Sequence, residues 1–155
     1  MSVRLAWIPL VALLLASCGS YSGSTSTGNG GRLSKTQWLS AADEICARAK
    51  ADVANLPKPD TAASLVTQLD SLIRIFSQEL KDLKTLTPLP EEQANAAAVV
   101  EAASLQVTLA EGLKEVAKTG DTAAITAYTQ ANQPKVLEAQ KVAAAYGLKV
   151  CGNGR

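Results

Sequence analysis

The chain contains no histidine, one methionine (Met1), one phenylalanine and only 4% aromatic residues in all. Without histidine, Ser-His-Asp and Cys-His catalysis in their usual forms are excluded. So are the Glu-x-x-His di-iron sites common in helical bundles and histidine-ligated zinc or haem. A lone methionine at position 1 leaves nothing for a thioether copper or haem ligand downstream. A surplus of either charge is also missing, with 15 Lys and Arg facing 14 Asp and Glu. That balance argues against nucleic acid as a partner, because phosphate recognition draws on a basic excess. There is no Gly-rich phosphate loop, no alternating strand pattern and no internal repeat. The expectation is a protein with no cofactor, no bound metal and no enzymatic activity.

What is present begins with the N-terminus. Met1 to Arg4 carries one positive charge, and Leu5 to Leu15 is almost wholly apolar, interrupted by Pro9. That run has the length of a signal-peptide core and is too short to span a bilayer. Ala16 and Ser17 are small enough for a narrow peptidase cleft, and Cys18 offers a nucleophilic thiol that can be alkylated. In position, charge, apolar run and tetrapeptide, Leu15-Ala16-Ser17-Cys18 resembles the lipobox of bacterial lipoproteins. The resemblance implies cleavage between Ser17 and Cys18 and a diacylglyceryl thioether on Cys18. It also implies a location at the extracytoplasmic face of the cell membrane, held by lipid. Each buried CH₂ of the acyl chains would contribute about 0.8 kcal/mol.

The expected organisation is a leader over 1–17, a lipidated cysteine and tether over 18–33, a helical domain over 34–151 and a frayed tail over 152–155. Gly19 to Arg32 is rich in Gly, Ser and Thr without apolar period. Such a segment spans about 20 Å root-mean-square, which lifts a domain from the membrane without orienting it. Arg4 falls in the leader, so the charges of the remainder balance.

Four amphipathic segments follow. The first runs from Lys35 to about Asn55, with Ser34 and Gln37 placed as a capping box and a stripe of Trp38, Ala42, Ile45, Ala49, Val53 and Leu56. Cys46 lies at the edge of that stripe, and Pro57 and Pro59 stop the helix. The second starts after Asp60, read as its N-cap, and ends near Leu86. Its face of Leu65, Leu69, Leu72, Phe76, Leu80 and Leu83 is the greasiest, which predicts the centre of the core. The third begins within Pro88 to Glu91. Its face is small at first (Ala94, Ala98, Ala102) and larger later (Leu105, Leu109, Leu113, Val116). Gly112 is a weak point there and Gly120 ends the helix. The fourth opens at Asp121 and carries Pro134 inside, which predicts a kink or a split. Gly147 followed by Leu148 fits a left-handed C-cap. Short loops between long amphipathic helices predict an all-α fold, an antiparallel four-helix bundle.

With Cys18 assigned to lipid, Cys46 and Cys151 remain, and a single disulfide is the simplest reading in an exported protein; two free buried thiols are the alternative. Cys46 lies roughly 17 Å into its helix. The tail after Gly147 must therefore fold back along the first helix, or the fourth must end part-way up it. The run Ala42-Asp43-Glu44-Ile45-Cys46 after Trp38, together with Gly147-Leu148-x-x-Cys151-Gly152, resembles a group of small exported helical lipoproteins of actinobacteria. That resemblance implies the fold and the disulfide, and no activity.

Candidate chemistry is sparse. Asp43 with Glu44, Glu91 with Glu92 and Glu111 with Glu115 are carboxylate pairs, most simply read as polar faces and first turns. Glu111–Lys114 and Glu138–Lys141 fit ordinary helix-surface pairs. Trp38, Tyr128 and Tyr146 fit core positions or the lining of a pocket. Two functions are expected. One is a membrane-anchored interaction domain acting on an envelope protein, favoured by a solid core. The other is a carrier of an apolar small ligand, favoured by a dry cavity of several hundred Å³ between helices.

Overall fold

The computed structural model describes residues 31–153. Ser17, Cys18, the leader, most of the tether and the last two residues therefore lie outside the described residues. Within them the chain forms four helices: α1 (Lys35–Ala54), α2 (Ala62–Thr85), α3 (Gln93–Ala117) and α4 (Thr122–Tyr146). A single 3-10 turn, Pro90–Glu92, precedes α3. The helices make an all-α arrangement with antiparallel contacts, as the periodicity predicts.

Local chemistry sets the boundaries. Ser34 and Gln37 close the expected capping box on α1. At α2 the cap is Thr61, whose side chain and that of Ser64 form a second box. Asp60, expected as the cap, stands one residue outside and accepts a hydrogen bond from the Ser64 hydroxyl at 2.9 Å. A serine at the third helical position makes the reciprocal bond to Thr61, which fixes the start one residue later. Asp121 caps α4 through Ala123 and Ala124 N–H groups. Gly147 ends it at φ +116°, a left-handed conformation suited to glycine. Leu148 then donates to the Ala143 carbonyl at 3.1 Å and buries its side chain to 3% exposure, as in a Schellman turn.

Pro134 does not split α4, which runs from Thr122 to Tyr146 as one helix. The break is avoided at the loss of one backbone donor. The neighbouring Asn132 amide donates to the Tyr128 carbonyl at 2.9 Å and adds a bond in that turn.

α3 is the centre of the packing, a place expected of α2. Both α2 and α4 pack along α3, whereas α1 packs chiefly on α2. The reason lies in side-chain size. Ala96, Ala103, Ala110 and Ala117 recur at every seventh position and are all buried, so neighbouring helices approach α3 closely. This face is rotated from the one expected, since Ala94 is exposed and Ala98 and Ala102 are half-buried. Pro90–Ala117 is also long and apolar enough to cross a membrane by length and composition alone; in the bundle it packs along α2 and α4, with 22% of its most apolar window buried.

The well-packed core sits at one end. Trp38, Ala42 and Ile45 of α1 meet Leu83 of α2, Val99 of α3 and Tyr146 of α4. Trp38 and Tyr146 lie 5.3 Å apart, ring to ring, and Lys35 Nζ sits 4.9 Å from the Tyr146 ring centroid, a cation–π arrangement. Leu33 closes this end by pairing with the α2–α3 linker through its N–H to Thr87 and its carbonyl to Leu89. Full burial of Leu83 alone contributes about 1.5–3 kcal/mol.

Candidate functional site

Away from that core the bundle opens. The stripes that the sequence assigns to the interior of α2, α3 and α4 face one another here, and no residue of α1 is among those lining the gap. Leu72, Phe76, Leu109, Leu113 and Val136 are consequently only half-buried. They floor a groove of about 500 Å³ that continues to Leu69, Ala110 and Tyr128 and reaches Cys151 at one end. The expectation that the α2 face is the centre of the core is corrected here: α1 packs on α2, and part of that face lines a gap to α4 in which no α1 residue takes part.

Tyr128 sets the depth of the groove. Its hydroxyl donates to the Leu109 carbonyl at 3.3 Å, and a Cβ at Gly112 would overlap that hydroxyl. Gly112 is therefore the residue that admits Tyr128 against α3, where the sequence suggested only a weak point. Trp38 and Tyr146, the other aromatic candidates, belong to the core instead, at 0% and 7% exposure.

Besides Tyr128, the polar part of the lining is built from carboxamides and the Thr129 hydroxyl: Gln106, Thr129, Gln130, Asn132, Gln133 and Gln140. No Asp, Glu, Lys or Arg lines this groove. The volumes of two other surface grooves, about 530 and 520 Å³, are similar. The first is lined by Asp70, Glu111, Lys114 and Glu115, the second by Asp43, Glu44 and Lys149. Lining chemistry, not size, sets the α2–α3–α4 groove apart. The carboxamides escape sequence reasoning because isolated glutamines on a helix look like ordinary solvent positions. Gln130, Asn132 and Gln133 lie within one turn of α4, and the α3–α4 register sets Gln106 on the same groove.

The disulfide lies where the groove meets the core. Cys46 and Cys151 are bonded, with Cα atoms 5.4 Å apart, so the alternative of two free thiols does not hold. Cys46 is 2% exposed, inside the stripe rather than at its edge. The tail folds back along α1, held by one carboxylate. Asp43 accepts hydrogen bonds from the backbone N–H groups of Lys149, Val150 and Cys151 at 3.0, 2.8 and 3.4 Å. This is the work of one of the carboxylates singled out in the sequence, and it is structural. Glu79, 4% exposed, is the buried charged residue among the described residues. Its carboxylate and the two sulfurs lie within 4.8 Å of one another. Joined as a disulfide, those sulfurs carry no thiolate charge for a metal to use.

The remaining charged candidates are dispersed. Lys114 reaches across to Asp70 of α2 at 2.5 Å rather than pairing along its own helix with Glu111, and the Asp70 partner pushes its pKa up. Lys141 and Glu138 pair as expected, at 3.6 Å. Glu91 and Glu92 open the turn before α3. Burial, followed by the Glu92 carboxylate, pushes the Tyr146 phenol up to about 12. The Trp38 indole N–H makes no hydrogen bond among the described residues.

Comparison of this chain with protein-family models, with curated proteins and with solved structures gives no match.

Proposed function

We propose that this protein is a lipid-anchored binding protein of the extracytoplasmic membrane face that holds an apolar small ligand between α2, α3 and α4. The observation that carries this reading is the groove of about 500 Å³ with its floor of Leu72, Phe76, Leu109, Leu113 and Val136. Its volume falls in the range of ligand pockets, which are mostly apolar with a few convergent polar groups. Half-exposed Leu and Phe side chains lose hydrophobic stabilisation that an occupant restores, at about 25 cal/mol per Å² covered. The other expected role, an interaction domain acting through protein contacts, is the one a closed core would favour. Anchoring rests on Leu15-Ala16-Ser17-Cys18, the lipobox-like stretch.

Two measurements test the two halves. Mass spectrometry of the native protein should find a diacylglyceryl group on Cys18 and no residues before it, and Cys18→Ser should release the protein from membranes. For the groove, the native chain in phosphatidylcholine nanodiscs is irradiated with a diazirine-bearing alkane, and the labelled peptides are mapped. Label should concentrate on the α2, α3 and α4 groove residues and fall several-fold in Val136→Trp, a variant that fills the space. Label spread evenly over the surface, or unchanged in that variant, rejects the carrier reading.

A further inference from the structure

Resting on the carrier reading, we infer that the ligand is an uncharged, single-chain amphiphile with a hydroxylated head, of the glycerol monoester kind, and that the carboxamides of Gln106 and Gln133 hold that head. The groove has an apolar floor and no ionised side chain in its lining. A carboxylate or ammonium brought into such a cleft loses hydration and finds no counter-charge. Lys135 lies beside the rim, but its Nζ is held on the Asn132 side-chain oxygen at 3.0 Å. A carboxamide offers two donors and an acceptor in one group, which suits hydroxyls that both give and accept.

Register places these groups together. The Tyr128 hydroxyl on the Leu109 carbonyl fixes α4 against antiparallel α3. Three residues back along α3 stands Gln106, and five residues forward along α4 stands Gln133. Both steps run in the same direction, towards the Cys151 end, by about 4.5 and 7.5 Å. Gln140 follows two turns further on the same seam of α4. Asn132 is committed to the Tyr128 carbonyl and Lys135, which leaves the glutamines to meet a ligand. Along α4 the lining extends from Tyr128 to Gln140, about 18 Å of helix, so an elongated chain fits better than a compact one.

The test uses the native chain in phosphatidylcholine nanodiscs with three diazirine probes that share one chain and differ in head: glycerol monopalmitate, palmitate and hexadecyltrimethylammonium. At equal bilayer content, glycerol monopalmitate should label the groove peptides about tenfold more than either charged probe. The double variant Gln106→Leu/Gln133→Leu should erase that excess, read within the variant as the ratio of glycerol monopalmitate labelling to labelling by the charged probes. Equal or stronger labelling by palmitate or the ammonium overturns the proposed ligand class and leaves the carrier reading intact. A neutral preference that survives the double variant overturns the role of the two glutamines. Loss of alkane labelling in wild type removes the carrier reading and this inference with it.

Discussion

Asp43 shows how one side chain can hold a chain terminus. A single carboxylate collects three backbone N–H groups from the turn that follows α4; a bond to a charged acceptor is worth about 1.5–3 kcal/mol net of exchange with water, and at this half-buried site water can take the place of part of the set. Asp43→Ala should therefore destabilise the domain by roughly 1–3 kcal/mol in urea unfolding. The turn after Gly147 should become its fastest-exchanging segment by hydrogen exchange; unchanged protection there would show that the disulfide alone fixes the tail. Tyr146 gives a pH signature. Its phenol is pushed from 10.0 up to about 12 by burial and by Glu92. The folded state thus binds this proton more tightly than the unfolded state, and the associated stability is complete below 10.0 and lost as pH rises through about 12. The melting temperature should fall across that window, and less steeply in Tyr146→Phe. Lys114 contributes in the same direction but is untouched by that substitution, so the difference between the two slopes reports Tyr146. Parallel slopes would remove the phenol from the account.

At the scale of the helix, α3 and α4 form the pair on which the groove depends. Gly112 leaves the space that Tyr128 occupies. Gly112→Ala gains helix propensity of about 1 kcal/mol yet must displace the ring, an overpacking cost of about 1–3 kcal/mol. The net expectation is a modest loss of stability, where an exposed helical glycine would give a gain; a higher urea midpoint for Gly112→Ala would overturn it. Pro134 is the opposite case. α4 stays continuous through it, so replacement by alanine should restore one backbone bond and stabilise the helix by up to ~3 kcal/mol. Because Gln133 and Val136 flank it in the groove lining, alkane labelling should change along with the melting temperature. A stabilised variant with unaltered labelling would show that the proline serves only the backbone.

The whole molecule is a bundle closed at one end by aromatic packing and open at the other for want of a fourth wall. The link between Cys46 and Cys151 spans a sequence separation of 105 and joins the first helix to the tail. In the chain-entropy treatment, closing a loop of that order stabilises the fold by up to ~4.7 kcal/mol. Reduction should lower the melting temperature by many degrees and, on the proposed anchoring at Cys18, leave membrane attachment unchanged. A melting curve indifferent to reduction would mean that the denatured chain gains little freedom when the bond opens.

Much of this architecture can be read directly from the residues. Apolar spacing at three and four, caps at Ser34 and Asp121 and the Gly147 stop are local signals, each set by interactions within a turn or two of the backbone; the Cys46–Cys151 pair is read instead by counting cysteines. Together they determine four helices, their ends and the bond between the first helix and the tail. Tertiary structure alone decided which helix is central, because the alanines at every seventh position of α3 act only through how closely a neighbour can approach. It also decided that the stripes of Leu72, Phe76 and Leu109 floor a groove: whether an apolar face is covered depends on where α1 lies, a long-range outcome that no periodicity encodes. That Gln106 of α3 lines the same groove as Gln133 and Gln140 of α4 has the same origin, since residues on different helices come to share a groove only once antiparallel helices have settled into register.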